Sequence, residues 1–208
     1  MSEPTNRRPV KSRASAWANA AATALIRTGV SPNQISVTSA CFAGLGAWAL
    51  MSTSNPWFLV SAIVCIQLRL ICNLLDGMVA IEGGKKSAVG ELYNEFPDRI
   101  ADTLLLVAMG YHVSHPSWGW CAALLAALTA YVRVFGGSLG LPQDFRGPMA
   151  KQHRMAVLTL ACMGGVVEAI AETGTQIAMT LGMIVILLGA AMTCITRTLG
   201  IVRLLEKK

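Results

Sequence analysis

Apolar stretches of roughly 20 residues, separated by short polar turns, recur along most of this 208-residue chain. Hydrocarbon offers no water to backbone N–H and C=O groups. A stretch long enough to cross a bilayer core of about 30 Å must therefore satisfy its own backbone, as a helix does. Composition points the same way. The chain is 54% hydrophobic and 13% charged, with a mean hydropathy of +0.54, whereas a soluble domain carries about 25% charged residues. The expectation is an all-α, polytopic membrane protein with six transmembrane helices preceded by an amphipathic interfacial helix. Residues 7–13 are basic and lead into an amphipathic segment, so no signal peptide is expected. Cys41, Cys65, Cys72, Cys121, Cys162 and Cys194 are scattered through apolar stretches without a CxxC pair. They read as packing residues, neither disulfides nor metal ligands.

Residues 1–10 read as disordered and 11–30 as the interfacial helix, with Trp17, Leu25 and Ile26 set among basic residues. Gly29-Val30-Ser31-Pro32 breaks that helix, and Ser31 and Asn33 are caps for the next. The six-helix domain covers 31–205, with spans expected at 34–52, 57–80, 88–111, 118–140, 149–171 and 176–203. The turns after the first, third and fifth spans hold no Lys or Arg. Lys85, Lys86, Arg146, Lys151, Arg154, Arg203, Lys207 and Lys208 collect on the other side with the N-terminal cluster. Positive-inside placement then puts both termini and the loops near 83–86 and 141–151 in the cytoplasm, in a cell (inner) membrane. The formal charge of +6 belongs to this pattern and to anionic lipid headgroups, and no nucleic-acid partner is expected.

Six of the eleven acids fall in one short region: Asp76, Glu82, Glu91, Glu95, Asp98 and Asp102. An ionised group inside a membrane helix is costly unless paired, hydrated or bound to metal. Asn73, Asp76 and Ala80 share one helical face, while Gly90, Asn94, Asp98 and Asp102 form a stripe at steps of four. The second and third spans, joined by a short loop, are expected to pack antiparallel and bring Asn73 and Asp76 opposite Asn94 and Asp98. Four oxygen-bearing side chains so arranged suit a hard cation, Mg²⁺ or Mn²⁺, which in turn could grip a diphosphate. Spacing alone leaves other readings open: an acid core paired with Arg69, Arg99 and Arg133, or an ion pathway.

The run Asn73-Leu-Leu-Asp76-Gly77-Met-Val-Ala80-Ile81, eight residues, then Gly90-Glu-Leu-Tyr-Asn94-Glu-Phe-Pro-Asp98 resembles the signature of the CDP-alcohol phosphotransferase (CDP-alcohol phosphatidyltransferase) family, class I, written D-x-x-D-G-x-x-A-R-x(8)-G-x-x-x-D-x-x-x-D. The spacing matches throughout, and Asp76, Gly77, Ala80, Gly90 and Asp98 hold the family's residues. The resemblance implies transfer of a phosphoalcohol, often phosphatidyl, from a CDP-alcohol such as CDP-diacylglycerol to an acceptor hydroxyl, with release of CMP, in phospholipid synthesis. It implies metal ligands at Asn73, Asp76, Asn94 and Asp98, with Asp98 also the general base. It implies nucleotide or donor contacts at Asn33, Gln34, Ile35, Ser36, Gly77, Ala80 and Ser87, and phosphate contacts at Lys151 and Arg154. A homodimer is implied by the same analogy.

Three positions depart from the signature: Asn73 and Asn94 replace the first and third acids, and Ile81 replaces the arginine. In this the chain resembles a divergent branch. The four-position site drops from four negative charges to two, which weakens cation binding or leaves room for one tightly held metal. Asp102 and Glu95 are candidates to restore charge, and Lys85 or Lys86 to replace the arginine. His112 and His115 read as solvated loop residues, and Glu168 and Glu172 as interfacial. Arg69, Arg133 and Arg197 read as partners of the acids or as snorkelling side chains. The expected activity is a metal-dependent membrane transferase. The alternatives are a weakened relative that still binds CDP-lipid and a small ion-coupled transporter.

Overall fold

A computed structural model describes residues 15–52, 55–85 and 88–207. It is all-helical: α1 (Ala16–Arg27), α2 (Pro32–Met51), α3 (Trp57–Glu82), α4 (Gly90–His112), α5 (Pro116–Ser138), α6 (Lys151–Ile170) and α7 (Ile177–Leu205). The breaks lie where local chemistry puts them. Gly29 takes a left-handed φ of +80°, which a side chain would strain, and turns α1 into α2. Ser31 then closes a full capping box: its Oγ accepts from the Gln34 amide at 3.2 Å, and the Gln34 side chain accepts from the Ser31 amide at 2.9 Å. Pro32 follows at the first helical position, where its missing N–H costs nothing. Pro116 does the same for α5.

Five helices, α2, α3, α5, α6 and α7, are long and apolar enough to cross a membrane. The expected third span is also a helix, α4, of 23 residues, but it is not apolar enough to count with them. Its first half carries Glu91, Glu95, Asp98, Arg99 and Asp102. Glu95, Asp98, Arg99 and Asp102 are tolerated because partners meet them inside the protein, and Glu91 is exposed in the first turn.

The packed pairs join the helices into a closed ring: α2 on α3, α3 on α6, α6 on α7, α7 on α5, α5 on α4 and α4 back on α2. The first helix, α1, lies against α3, burying Ala18 and Ala22 with Ile35, Leu75, Met78 and Val79. The expected direct packing of α3 on α4 is corrected by this order. Among the described residues those two helices do not form one of the packed faces, because α2 packs on both. The gap that remains between them is where the polar residues project.

Packing is inside-out relative to a soluble bundle. Alanines and glycines fill much of the interior, while Trp48, Leu124, Leu160, Ile170 and Leu188 lie on the outside. Lipid is as apolar as a leucine side chain, so association rests on close backbone approach. In one such case backbone meets backbone between α4 and α5. A Cβ on Gly119 would lie 2.8 Å from the Leu106 carbonyl oxygen and 3.0 Å from the Gly110 Cα, and backbone atoms cannot yield.

Candidate active site

A cavity of about 540 Å³ opens in the gap between α3 and α4, toward the ends that the α3–α4 and α5–α6 connections join. Asn73 of α3 lines it from one side, and Asn94, Asp98 and Arg99 of α4 from the other. Arg133 of α5 and Lys151, the first residue of α6, complete the polar wall. The α5–α6 connection lends Phe145, which lies under the Arg133 guanidinium at 5.4 Å from ring centre. That connection is braced by Arg146, whose hydrogen bond holds the Asp144 carboxyl below the usual carboxylate range.

Asp76 sits beside the cavity and does not form its wall. It is 6% exposed and accepts a 2.7 Å hydrogen bond from Ser36 of α2. It lies near enough to Asp98 and Lys151 to feel both charges. One turn back on α3, the Asn73 carbonyl oxygen accepts from Ser39 at 2.9 Å. Thus α2 supplies two hydroxyls, one turn apart, that hold the two α3 side chains in position.

Asp98 is surrounded by cations. The Lys151 ammonium is in direct contact with Oδ2, Arg99 lies 3.9 Å from the same oxygen, and Arg69 lies 3.7 Å from Oδ1. One turn further along α4, Asp102 is tied on both oxygens, to Arg69 and Arg154 at 2.7 Å each. All three groups of that triad are nearly inaccessible, with side chains 0 to 2% exposed. Asp102 is therefore committed to structure and is not a charge reserve for a metal. Glu95 is likewise taken up by Arg133, with Arg99 at 3.8 Å.

Several expected donor contacts have other work. The Gln34 side chain is spent on the capping box, and Ile35 is buried in the apolar cluster under α1. Asn33 is half-buried in the first turn of α2. Ala80 is half-buried, and it shares with Gly77 the end of α3 that follows Asp76. Ser87 and Lys86 lie outside the described residues. Lys85 bonds the Val30 carbonyl at 3.2 Å, which ties the α3–α4 connection to the α1–α2 turn. Arg154 reaches the cavity, but beyond Asp102 it donates to the Met149 carbonyl at 2.9 Å, so it braces the wall from behind. Arg197, read from sequence as a partner of the acids, instead donates to the carbonyls of Arg146 and Thr129. His112, expected in a solvated loop, ends α4 buried, with Nδ1 2.8 Å from the Leu50 carbonyl.

The Arg69–Asp102–Arg154 triad was the main feature missed from sequence. Its signal was present, since basic residues deep in apolar helices require partners, and Asp102 lies one turn from Asp98 at the depth of Arg69.

Whether these side chains suit a divalent cation is decided by their donors and charge. Among the described residues, no three carboxylates, thiols or imidazoles come together. Asp76 and Asp98 supply two negative charges, and Asn73 can add a neutral oxygen. Its Nδ2 is buried without a partner. Turning the amide over lets Nδ2 donate to Ser39, whose proton then goes to the Arg69 carbonyl 3.3 Å away, and puts the amide oxygen in the unpartnered position. Such a set fits one divalent cation, once Lys151 leaves Asp98. It does not fit two.

Known proteins share both the sequence pattern and the architecture. The profile of the CDP-alcohol phosphatidyltransferase family matches residues 29–202. A phosphatidylinositol phosphate synthase of Streptomyces avermitilis is 26% identical over 186 residues, covering 86% of this chain and 75% of its own. An archaetidylinositol phosphate synthase of Aeropyrum pernix is 30% identical over 139 residues, covering 65% of this chain and 69% of its own. Among solved structures, the phosphatidylinositol phosphate synthase of Mycobacterium tuberculosis in complex with manganese and citrate superposes with a TM-score of 0.73 at 18% identity, covering 88% of both chains. The same protein with CDP-DAG bound gives the same score. The structural likeness is one of fold.

Proposed function

The chain belongs to the CDP-alcohol phosphatidyltransferase family, and from that premise we propose that it transfers a phosphoalcohol, in the first instance phosphatidyl, from a CDP-alcohol to an acceptor hydroxyl. CMP is the leaving group. The observation that carries this reading is the polar cavity between α3 and α4, where Asn73, Asn94 and Asp98 of the signature share a wall with Lys151 and Arg99. A transporter built on the same acids is disfavoured, since Asp102 and Glu95 are locked to arginines and, among the described residues, leave no chain of free carboxylates across the bundle.

Transfer requires charge neutralisation at the diphosphate and a base at the acceptor oxygen. Asp98 is the base. At rest its carboxylate is held by Lys151. An incoming diphosphate offers Lys151 a more negative partner, draws the ammonium away and leaves Asp98 beside the acceptor. Ser36 holds Asp76 in place, and the buried Asp102 triad keeps Arg69 from collapsing onto Asp98. Asp76 and Asp98, with the amide oxygen of Asn73 and that of Asn94, are the residues that would hold one Mg²⁺ or Mn²⁺, whose charge offsets that of the diphosphate.

The acceptor is an alcohol that itself carries a phosphate. Arg99 and Arg133 line the cavity beside Lys151, a wall suited to the phosphate of an acceptor. Two relatives are also named for inositol phosphate products. By the positive-inside rule, the basic helix ends favour a cavity open to the cytoplasmic side of the cell membrane.

The test is to incubate purified protein with CDP-diacylglycerol labelled in the phosphatidyl group, Mn²⁺ and candidate acceptors, then identify the lipid product by mass spectrometry. CMP release that depends on a phosphorylated polyol is the expected result. Release that is equal with serine or with unphosphorylated inositol would overturn the acceptor class. No CMP release with any acceptor, from protein that still binds CDP, would favour the weakened relative.

A further inference from the structure

We infer that the Lys151 ammonium takes the place of a second metal cation in this site, so that the chain works with one divalent ion and one lysine. The inference deepens the transferase reading and rests on it for the role of the diphosphate.

Two observations carry it. Asn73 and Asn94 stand where the signature has acids, which leaves Asp76 and Asp98 as the ionisable pair of the motif. Lys151 is placed on Asp98 by the fold itself. It opens α6, and Arg154 on the next turn is clamped to Asp102, to the Met149 carbonyl and, at 3.4 Å, to Thr129. The turn that carries the lysine is therefore fixed, and its side chain, 22% exposed, reaches Asp98 from a defined position.

The charges then decide the stoichiometry. Asp102 is offset by Arg69 and Arg154, and Glu95 by Arg133. Asp76 and Asp98 remain, facing Lys151 and Arg99. One divalent cation makes this group positive by itself, and in a partly desolvated cavity a second would meet strong repulsion, with no further free carboxylate among the described residues that line it. Lysine can do what the missing ion would do, because it is a mobile point charge on a flexible stem. It rests on Asp98 in the absence of ligand and moves to the diphosphate when the donor binds. A consequence follows without any nucleotide: lysine and metal compete for Asp98.

Mn²⁺ titration followed by electron paramagnetic resonance tests this on the full chain in detergent. The wild-type protein is expected to bind one Mn²⁺ weakly. Lys151→Met is expected to bind one Mn²⁺ roughly tenfold more tightly, the effect of removing one competing ion pair, and Lys151→Arg, which keeps a cation there, to match the wild type. CDP binding at saturating Mn²⁺ is expected to weaken roughly tenfold in Lys151→Met, the loss of one charge contact to diphosphate. Two Mn²⁺ per wild-type chain, or unchanged Mn²⁺ affinity in a folded Lys151→Met, would overturn the inference. Failure of the wild type to bind CDP at all would overturn the transferase reading instead, and the nucleotide-free titration would still decide whether lysine and metal compete.

Discussion

The two halves of α4 are built on opposite principles. From Gly90 to Asp102 the helix carries five charged side chains and faces α3 across a cavity, with Leu92 and Phe96 exposed. From Leu105 onward it is apolar and tight: Leu105, Leu106 and Met109 are fully buried, and Gly110 lies against the backbone of Gly119. The first half holds a space open, and the second half holds the bundle shut. Asp102 is the joint between them. It faces the polar half by sequence but is sealed in by two buried arginines, so it transmits rigidity to the site without taking part in the chemistry. The two belong together, because a charged gap among membrane helices persists only when the remaining packing is strong enough to hold the helices apart there.

That division can be broken in order of expected effect. Asp102→Ala leaves two guanidiniums buried and unpaired, and should cost about 3–5 kcal/mol of stability. Thermal unfolding in detergent would show it as a large downward shift. A small shift would mean that water reaches the triad and that the halves are not separate. Gly119→Ala drives a methyl against backbone atoms of α4 and should cost about 1–3 kcal/mol. It should lower the melting temperature while leaving turnover per folded molecule close to wild type. If turnover falls with stability unchanged, the packed half feeds directly into the site. Ser36→Ala removes one hydrogen bond to Asp76 and should cost about 1 kcal/mol, with weakened Mn²⁺ binding as its clearer signature. Unchanged Mn²⁺ binding would mean that Asp76 needs no help from α2.

The helices were legible in the sequence because their ends are marked by local chemistry: the Ser31–Gln34 box, Pro116 and the left-handed Gly29. The signature residues were legible because their types and spacing resemble the pattern of a known family. The neighbours of those residues were not. That α2 would stand between α3 and α4, and that Ser36 and Ser39 would serve Asp76 and Asn73, depends on which helices pack together, and spacing within one helix carries no information on that. The same limit hid Lys151 as a partner of Asp98. Arg69 and Arg99 were open candidates from the spacing, but Lys151 arrives from α6 and Arg154 reaches Asp102 from the same helix, so the fate of Asp102 and Lys151 became visible only once the ring of helices was closed.

The measurement closest to the centre of this account compares CMP release from CDP-diacylglycerol by the wild-type protein and by Asp98→Asn, each normalised to folded protein. The account expects Asp98→Asn to melt near the wild-type temperature and to lose turnover by about a hundredfold or more, the usual cost of removing a general base. Turnover retained within a few-fold in the folded variant would contradict it. The carboxylate amid three cations would then be part of the scaffold, as Asp102 is.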